Sequence, residues 1–320
     1  MDISYLWNNT AAWMTLMDNR INPKVFEIAN TLKNAFLDSL QTENLVSIFL
    51  CGGNSIADTK FRRHLGNNIS KIHSKYQYSV YYPEDMFIEL ILGHQRKDLL
   101  SLEDLLAKGV HCVVILVQSP GTLTELGAFT NYPDLKDRLV VVIDPSYKLK
   151  RSFIALGPLR YLKTQTKSEV IYSAMNEQNL DNLTRQIAEA SREIAKHSTP
   201  SNDLSNPIAS QKFFLSMIFV FDPIPRFAFI KILKKVTTCE PSIALTVAEA
   251  VLNGLINERK ALSVGDRISI TNKGIDALIF DSVLKTKSRR LLSFLSSLRL
   301  EALNITLRKR YIKMGEAADA

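Results

Sequence analysis

Long hydrophobic runs are missing from this 320-residue chain. The longest strongly apolar stretch, Phe213–Phe221, is about half of the roughly 20 residues that span a bilayer, so no membrane partner is expected. The beginning, Met1-Asp2-Ile3, lacks the basic and then apolar regions of a secretory signal, and a cytoplasmic location is expected. Cysteine is scarce. Cys51, Cys112 and Cys239 are odd in number and widely spaced, and the first two sit in apolar runs where a thiol behaves as a small buried hydrophobe. That pattern argues against a disulfide framework and for a reducing compartment. The five histidines, His64, His73, His94, His111 and His197, form no pair with cysteine or carboxylate at metal-ligand spacing. Neither a metal nor another cofactor is expected.

Net charge is nearly absent from residues 1–200, with 22 Lys+Arg against 21 Asp+Glu, whereas residues 201–320 hold 18 against 11. The basic excess therefore belongs to the C-terminal third. It marks either a polyanion-binding surface or a merely soluble basic one.

Residues 3–44 carry apolar side chains at helical spacing (Val25, Ile28, Ala29, Leu32, Phe36, Leu40), with Asn22-Pro23 as cap and first helical position. Residues 1–45 thus read as one or two helices leading into the core. Over 46–200, short apolar strands at Val46–Cys51, Tyr78–Tyr82, Cys112–Val117 and Leu139–Ile143 alternate with helices from Asp58, at Leu99–Ala107, Thr122–Phe129 and Leu180–Lys196. Near-uniform hydrophobicity in each strand implies a parallel sheet covered on both faces, a doubly wound α/β domain. His197–Asn206 (HSTPSNDLSN) has linker composition. Residues 201–320 turn helical: Pro225–Val236 and Pro241–Asn257, then strand, Gly265-Asp266 turn, strand over Lys260–Asn272, then helix over Lys273–Phe280 and a basic tail. Helices followed by a hairpin and a helix match a winged helix-turn-helix, with Thr246–Arg259 holding the recognition helix.

Ligands of α/β sheets collect beyond the carboxyl ends of the strands. Three such ends carry small or acidic residues: Cys51-Gly52-Gly53-Asn54, Tyr82-Pro83-Glu84-Asp85, and Ser119-Pro120-Gly121-Thr122 running into a helix that bears Glu125. The glycines allow backbone amides to approach a phosphate or sugar. Tyr82, Glu84 and Asp85 either hold ribose hydroxyls or start a helix. Thr122-x-x-Glu125 has the spacing of a capping box, which competes with any chemical role for the glutamate. Arg151 and Arg160 are candidates for phosphate contacts or for solvated surface charge, and Glu103 is an ambiguous helix carboxylate.

Following a buried strand, SPGTLTELGAF (119–129) resembles the signature of the nucleoside deoxyribosyltransferase superfamily. It is also similar to the loop of nucleotide-hydrolysing "lysine decarboxylase-like" enzymes, without their consecutive glycines. Together with FLCGG (49–53), YYPEDMF (81–87), LLSLEDLLA (99–107), RSFIALGPLR (151–160) and LINERK (255–260), it resembles the effector proteins encoded beside retron reverse transcriptases. These join a ribosyltransferase-like domain to a DNA-binding winged helix.

The resemblance implies that Glu125 attacks or stabilises an anomeric carbon, with a nucleotide bound by Cys51, Gly52, Gly53, Asn54, Tyr82, Glu84, Asp85, Ser119, Gly121 and Thr122. Deoxyribosyltransferases carry an aspartate six residues before the glutamate, where this chain has Ser119. A hydroxyl cannot protonate a leaving purine as a carboxylic acid can, which favours a base that already leaves easily, such as the cationic nicotinamide of NAD. Lys285, Lys287, Arg289, Arg290, Arg308, Lys309 and Arg310 supply charge for nucleic-acid phosphates. The implied partners are a retron reverse transcriptase and its branched RNA–DNA product (msDNA), in a homo-oligomer or larger assembly that holds a toxic enzyme inactive until phage attack. Two other readings stay open: a transcription regulator that senses a nucleotide without catalysis, and a nucleoside-salvage hydrolase.

Overall fold

The computed structural model describes residues 23–39, 45–72, 74–85, 107–149, 151–200, 203–204, 206–237, 241–280 and 291–305. Two compact units emerge, an α/β unit from Thr42 to Asn202 and a helical unit built from the chain on either side of it.

The first helix, α1 (Pro23–Ser39), belongs to the helical unit. The α/β unit then runs β1 (Leu45–Cys51), α2 (Ile56–Ser70), β2 (Gln77–Tyr81), β3 (Cys112–Leu116), α3 (Pro120–Asn131), β4 (Leu139–Ile143), α4 (Arg160–Gln165), β5 (Glu169–Tyr172) and α5 (Leu180–Ala195). All five strands are parallel, in the order β2-β1-β3-β4-β5. Their uniform hydrophobicity follows from cover on both faces. Ile48, Leu50, Val114, Leu116, Val140 and Val142 pack with Leu65 and Ile69 of α2 and Leu183 and Ile187 of α5. The alternating residues Phe49, Val113, Ile115, Val141 and Ile143 are equally buried, and α3 packs against β3 and β4. The chain order reverses between β1 and β3, and such a switch point opens a crevice at the carboxyl ends of the strands. Strand β5, with only four residues, has no counterpart among the strands read from the sequence.

The helical unit continues with α6 (Pro207–Phe221), β6 (Ile224–Pro225), α7 (Arg226–Thr237), α8 (Pro241–Asn257), β7 (Ala261–Val264), β8 (Arg267–Ile270) and α9 (Asn272–Phe280). Residues 291–305 are also helical. The apolar run at Phe213–Phe221 lies in α6, which is buried on nearly every side, as expected of a helix hydrophobic all round. Among the described residues, no helix is long and apolar enough to cross a membrane. Strands β7 and β8 form an antiparallel hairpin, β6 adds to β8 on its other edge, and Gly265 takes the turn at φ +59°, a region open to glycine at little cost.

Helix α1 does not enter the sheet's core. Its stripe of Val25, Ile28, Ala29, Leu32 and Phe36 joins the core formed by α6, α7 and α8. The Phe36 and Phe213 rings lie 6.2 Å apart between centroids, and Lys33 Nζ donates to the Val236 carbonyl at 2.6 Å.

Candidate active site

The loops after β1, β2 and β3 meet at the carboxyl end of the sheet, held by two side chains that the sequence reading did not single out. Arg62 is only 5% exposed. Its Nη1 donates to the Gly52 carbonyl at 3.0 Å and its Nη2 to Glu84 Oε1 at 2.8 Å, tying the first loop to the second. Gln118 Oε1 accepts from the Gly53 amide at 3.2 Å, tying the first to the third. A signal for Arg62 did exist: it shares the inward face of α2 with Phe61, Leu65, Gly66 and Ile69, where an arginine must find polar partners. Gln118 sits in a polar loop and carried no comparable signal.

Both glycines of the first loop are closely walled. A Cβ on Gly52 would meet Arg62 and Gln118, and one on Gly53 would collide with the Asp58 carboxylate. Asp58 is fixed in turn by Ser55 Oγ, which donates to it at 2.6 Å and accepts from its amide at 3.1 Å. Cys51 is fully buried, whereas Asn54 is exposed. In the second loop, Pro83–Asp85 is helical and both carboxylates are engaged. Arg63 binds Asp85 Oδ2 at 2.6 Å through Nη1 and Glu84 Oε1 at 3.0 Å through Nη2. The Arg63 guanidinium lies 3.9 Å from the Tyr82 ring centroid, and burial holds the Tyr82 phenol above its ordinary range.

The third loop corrects the capping assignment. The box forms one turn earlier than the Thr122–Glu125 spacing suggests: Ser119 is the N-cap, Pro120 opens the helix, and Ser119 and Thr122 are the reciprocal pair. Pro120 fits this position because the first helical residue needs no amide donor. Thr122 Oγ1 accepts from the Gln118 and Ser119 amides and donates to the Ser119 carbonyl at 2.8 Å, so this buried hydroxyl is engaged with backbone. Ser119 Oγ accepts from the Thr122 amide at 3.4 Å. Gly121 is exposed at the helix start.

Glu125 therefore lies about 9 Å along the axis from the N-cap, at 1.5 Å per residue, outside the capping box. It flanks the buried stripe of Thr122, Leu126 and Phe129, is half-buried, and has Oε2 shielded from solvent. Among the described residues, no group of three or more His, Cys, Asp or Glu could hold a metal ion. Arg151 and Arg160 are exposed. Glu103 and the expected nucleic-acid contacts Lys285, Lys287, Arg289, Arg290, Arg308, Lys309 and Arg310 lie outside the described residues.

Comparison with known proteins gives this arrangement a lineage. Residues 58–260 match the family described as STM3845 retron effector protein. The chain is 30% identical over 276 residues to the Escherichia coli protein named "Retron Ec86 putative ribosyltransferase/DNA-binding protein", covering 83% of this chain and 86% of that one. It is 27% identical over 124 residues to the similarly named Escherichia coli protein of retron Ec73, covering 38% and 39% respectively. The matched span takes in Arg62, Gln118, the Ser119–Thr122 box and Glu125 as well as helices α6 to α8 of the helical unit: the chain belongs to the STM3845 retron effector family.

Proposed function

We propose that this chain is the toxic effector of a retron antiphage system, and that its α/β unit breaks the N-glycosidic bond of a nucleotide with Glu125 as nucleophile. The observation that carries the reading is the earlier capping box. With Ser119 and Thr122 forming the capping box, Glu125 lies outside that box, on the helix that follows β3, with one oxygen shielded from water. The names of the two Escherichia coli relatives support a ribosyl-transfer class.

In this reading a Glu125 oxygen bonds to C1′ as the C1′–N bond breaks, its electron pair leaving with the base. A carboxylate in a partly dry site stabilises the oxocarbenium-like charge that develops on the sugar. Water then attacks the sugar–enzyme ester, releasing the ribosyl product and a proton and restoring the carboxylate. A second acceptor in place of water gives transfer. Ser119 cannot serve as an acid for a departing purine, so the cationic nicotinamide of NAD, which leaves as a neutral base, is the favoured leaving group. The amides of Gly52, Asn54 and Gly121 are the proposed contacts to ribosyl and phosphate oxygens, the Gly53 amide being taken by Gln118.

The helical unit has the order helix, short strand, helix, helix, hairpin, with β6 paired to β8, and we read it as a winged helix. Its proposed partners are the retron reverse transcriptase and msDNA, which keep the enzyme inactive in the resting cell.

Glu125→Gln tests the chemistry. Because the capping box is formed by Ser119 and Thr122, the variant should keep its helix start, and circular dichroism and urea unfolding check that it folds. A mass-spectrometric survey of cell nucleotides after induction should show NAD loss with the parent and none with the variant. Toxicity persisting in a folded Glu125→Gln protein would sink the enzymatic reading and favour a non-catalytic regulator. Consumption of free nucleosides without toxicity would favour a salvage hydrolase.

A further inference from the structure

Between Asp144 and Glu169 the chain carries Lys148, Lys150, Arg151, Arg160, Lys163 and Lys167 and no carboxylate. Elsewhere residues 42–202 hold 13 Lys+Arg against 17 Asp+Glu, so this connection is a positive strip on an otherwise acidic unit. All of these cations but Lys150, which lies outside the described residues, are exposed. Among the described residues, no carboxylate pairs with Lys148, Arg151, Arg160 or Lys167, while Lys163 Nζ sits 4.7 Å from the Tyr172 ring centroid.

The same strip exposes large apolar side chains that a folded unit normally buries. Phe153 is 87% exposed and Leu149 91%, with Leu156 and Tyr161 also on the surface. The backbone is helical here, with a π-helical turn at Ala155–Leu159 leading into α4. Phe153, Leu156 and Arg160 follow one another at three- and four-residue spacing along one face. The tip of the Phe153 ring rests beside Gly157, where a Cβ would be only 3.7 Å from Cζ. Because Gly157 has no side chain, nothing from that position rises over the ring. An exposed ring and exposed guanidinium groups on a stretch of sequence without carboxylates are the components of a platform on which bases stack while cations follow the phosphates.

We infer that the surface formed by Leu149, Arg151, Phe153, Leu156, Arg160 and Tyr161 binds single-stranded nucleic acid. This contact is separate from the basic helical unit and independent of the chemistry at Glu125. Charge complementarity selects a polyanion, and the flat exposed ring selects one with unpaired bases over a duplex, whose bases are already stacked. A strand seated there would run beside the Glu125 helix, because α3 packs against the Ala155–Leu159 turn.

The test uses the full chain and a fluorescein-labelled oligo-dT of about 20 nucleotides, read by anisotropy beside a duplex of equal length. Phe153→Ala should weaken the single strand about tenfold, the scale of one lost stacking contact, with duplex binding unchanged, and Phe153→Trp should restore it. Arg151→Ser combined with Arg160→Ser should lower the single-strand salt slope by about 1.4, at roughly 0.7 per phosphate. Photocrosslinking with 5-bromodeoxyuridine in the oligonucleotide should place adducts within residues 147–161. Three results would overturn the inference: an unchanged single-strand affinity in folded Phe153→Ala, equal losses for strand and duplex, or adducts confined to residues beyond 203. Competition by poly-glutamate that matches oligo-dT and depends equally on Phe153 would also overturn it, in favour of an acidic protein partner.

Discussion

Arg62 shows how one buried cation can set the shape of a site it need not enter. Its guanidinium joins the Gly52 carbonyl to Glu84, so two loops on different strands keep a fixed spacing. Glu84 retains Arg63 when Arg62 is removed, which limits the damage. Arg62→Met should therefore cost about 2 kcal/mol, the scale of hydrogen bonds to a charged group, measured by urea unfolding. If Gly52 and Gly53 hold substrate, the variant should raise KM more than it lowers kcat. An unchanged KM would remove the first loop from the binding site. The capping pair makes a complementary case. Ser119→Ala should cost about 1 kcal/mol, whereas Glu125→Gln should keep the helix start and end activity. Spacing alone could not separate these roles, because Ser119-x-x-Thr122 and Thr122-x-x-Glu125 overlap; the position of Pro120 decides between them.

The opposite, amino-terminal end of the strands carries a half-buried histidine that bears on acid sensitivity. His111 precedes β3, and its Nδ1 accepts from the Ser47 amide at 3.1 Å and lies 2.7 Å from Ser47 Oγ on β1. Accepting from a backbone N–H requires an unprotonated Nδ1, so the ring is neutral with its proton on Nε2. Burial, followed by the nearby Arg138 charge, pushes its pKa from the ordinary 6.5 down to about 4. The unfolded chain takes up a proton below 6.5 that the folded one refuses. The stabilising contribution is therefore full above that pH and is lost as pH falls toward about 4, at about 1.4 kcal/mol per pH unit. His111→Asn, which keeps an acceptor and cannot titrate, should flatten this part of the stability profile in urea titrations between pH 4 and 7. An unaltered slope would assign the acid sensitivity to other groups. At this scale much was legible beforehand: β1, β3 and β4 announce themselves as apolar runs, and the hairpin by its Gly265-Asp266 turn. Strand β5 did not, since Glu169-Val-Ile-Tyr172 is too short to show a period and begins on an exposed acid.

For the whole molecule, the amphipathic pattern of α1 told that a partner exists but not which one. Five apolar residues at helical spacing fit any apolar groove, and the sequence reads only as a helical segment leading into a core. The structure pairs α1 with α6 and α7, through Phe36 on Phe213 and Lys33 on the Val236 carbonyl. Phe36→Ala should lower the stability of the helical unit by about 3 kcal/mol. Differential scanning calorimetry should show its transition moving while that of the α/β unit stays in place. Coincident shifts of both transitions would mean that the two units unfold as one.

The Lys33–Val236 bond closes over 203 positions of sequence, and that span sets a delay during synthesis. At roughly 5–20 residues per second, α1 emerges from the ribosome about 10–40 seconds before the helices that cover it. During that interval Val25, Ile28, Leu32 and Phe36 have no permanent neighbours, while the sheet between them and their future core can already assemble. The nascent chain thus carries an apolar helix waiting for its mates, a natural client for a chaperone that shields such surfaces until the last third of the polypeptide arrives.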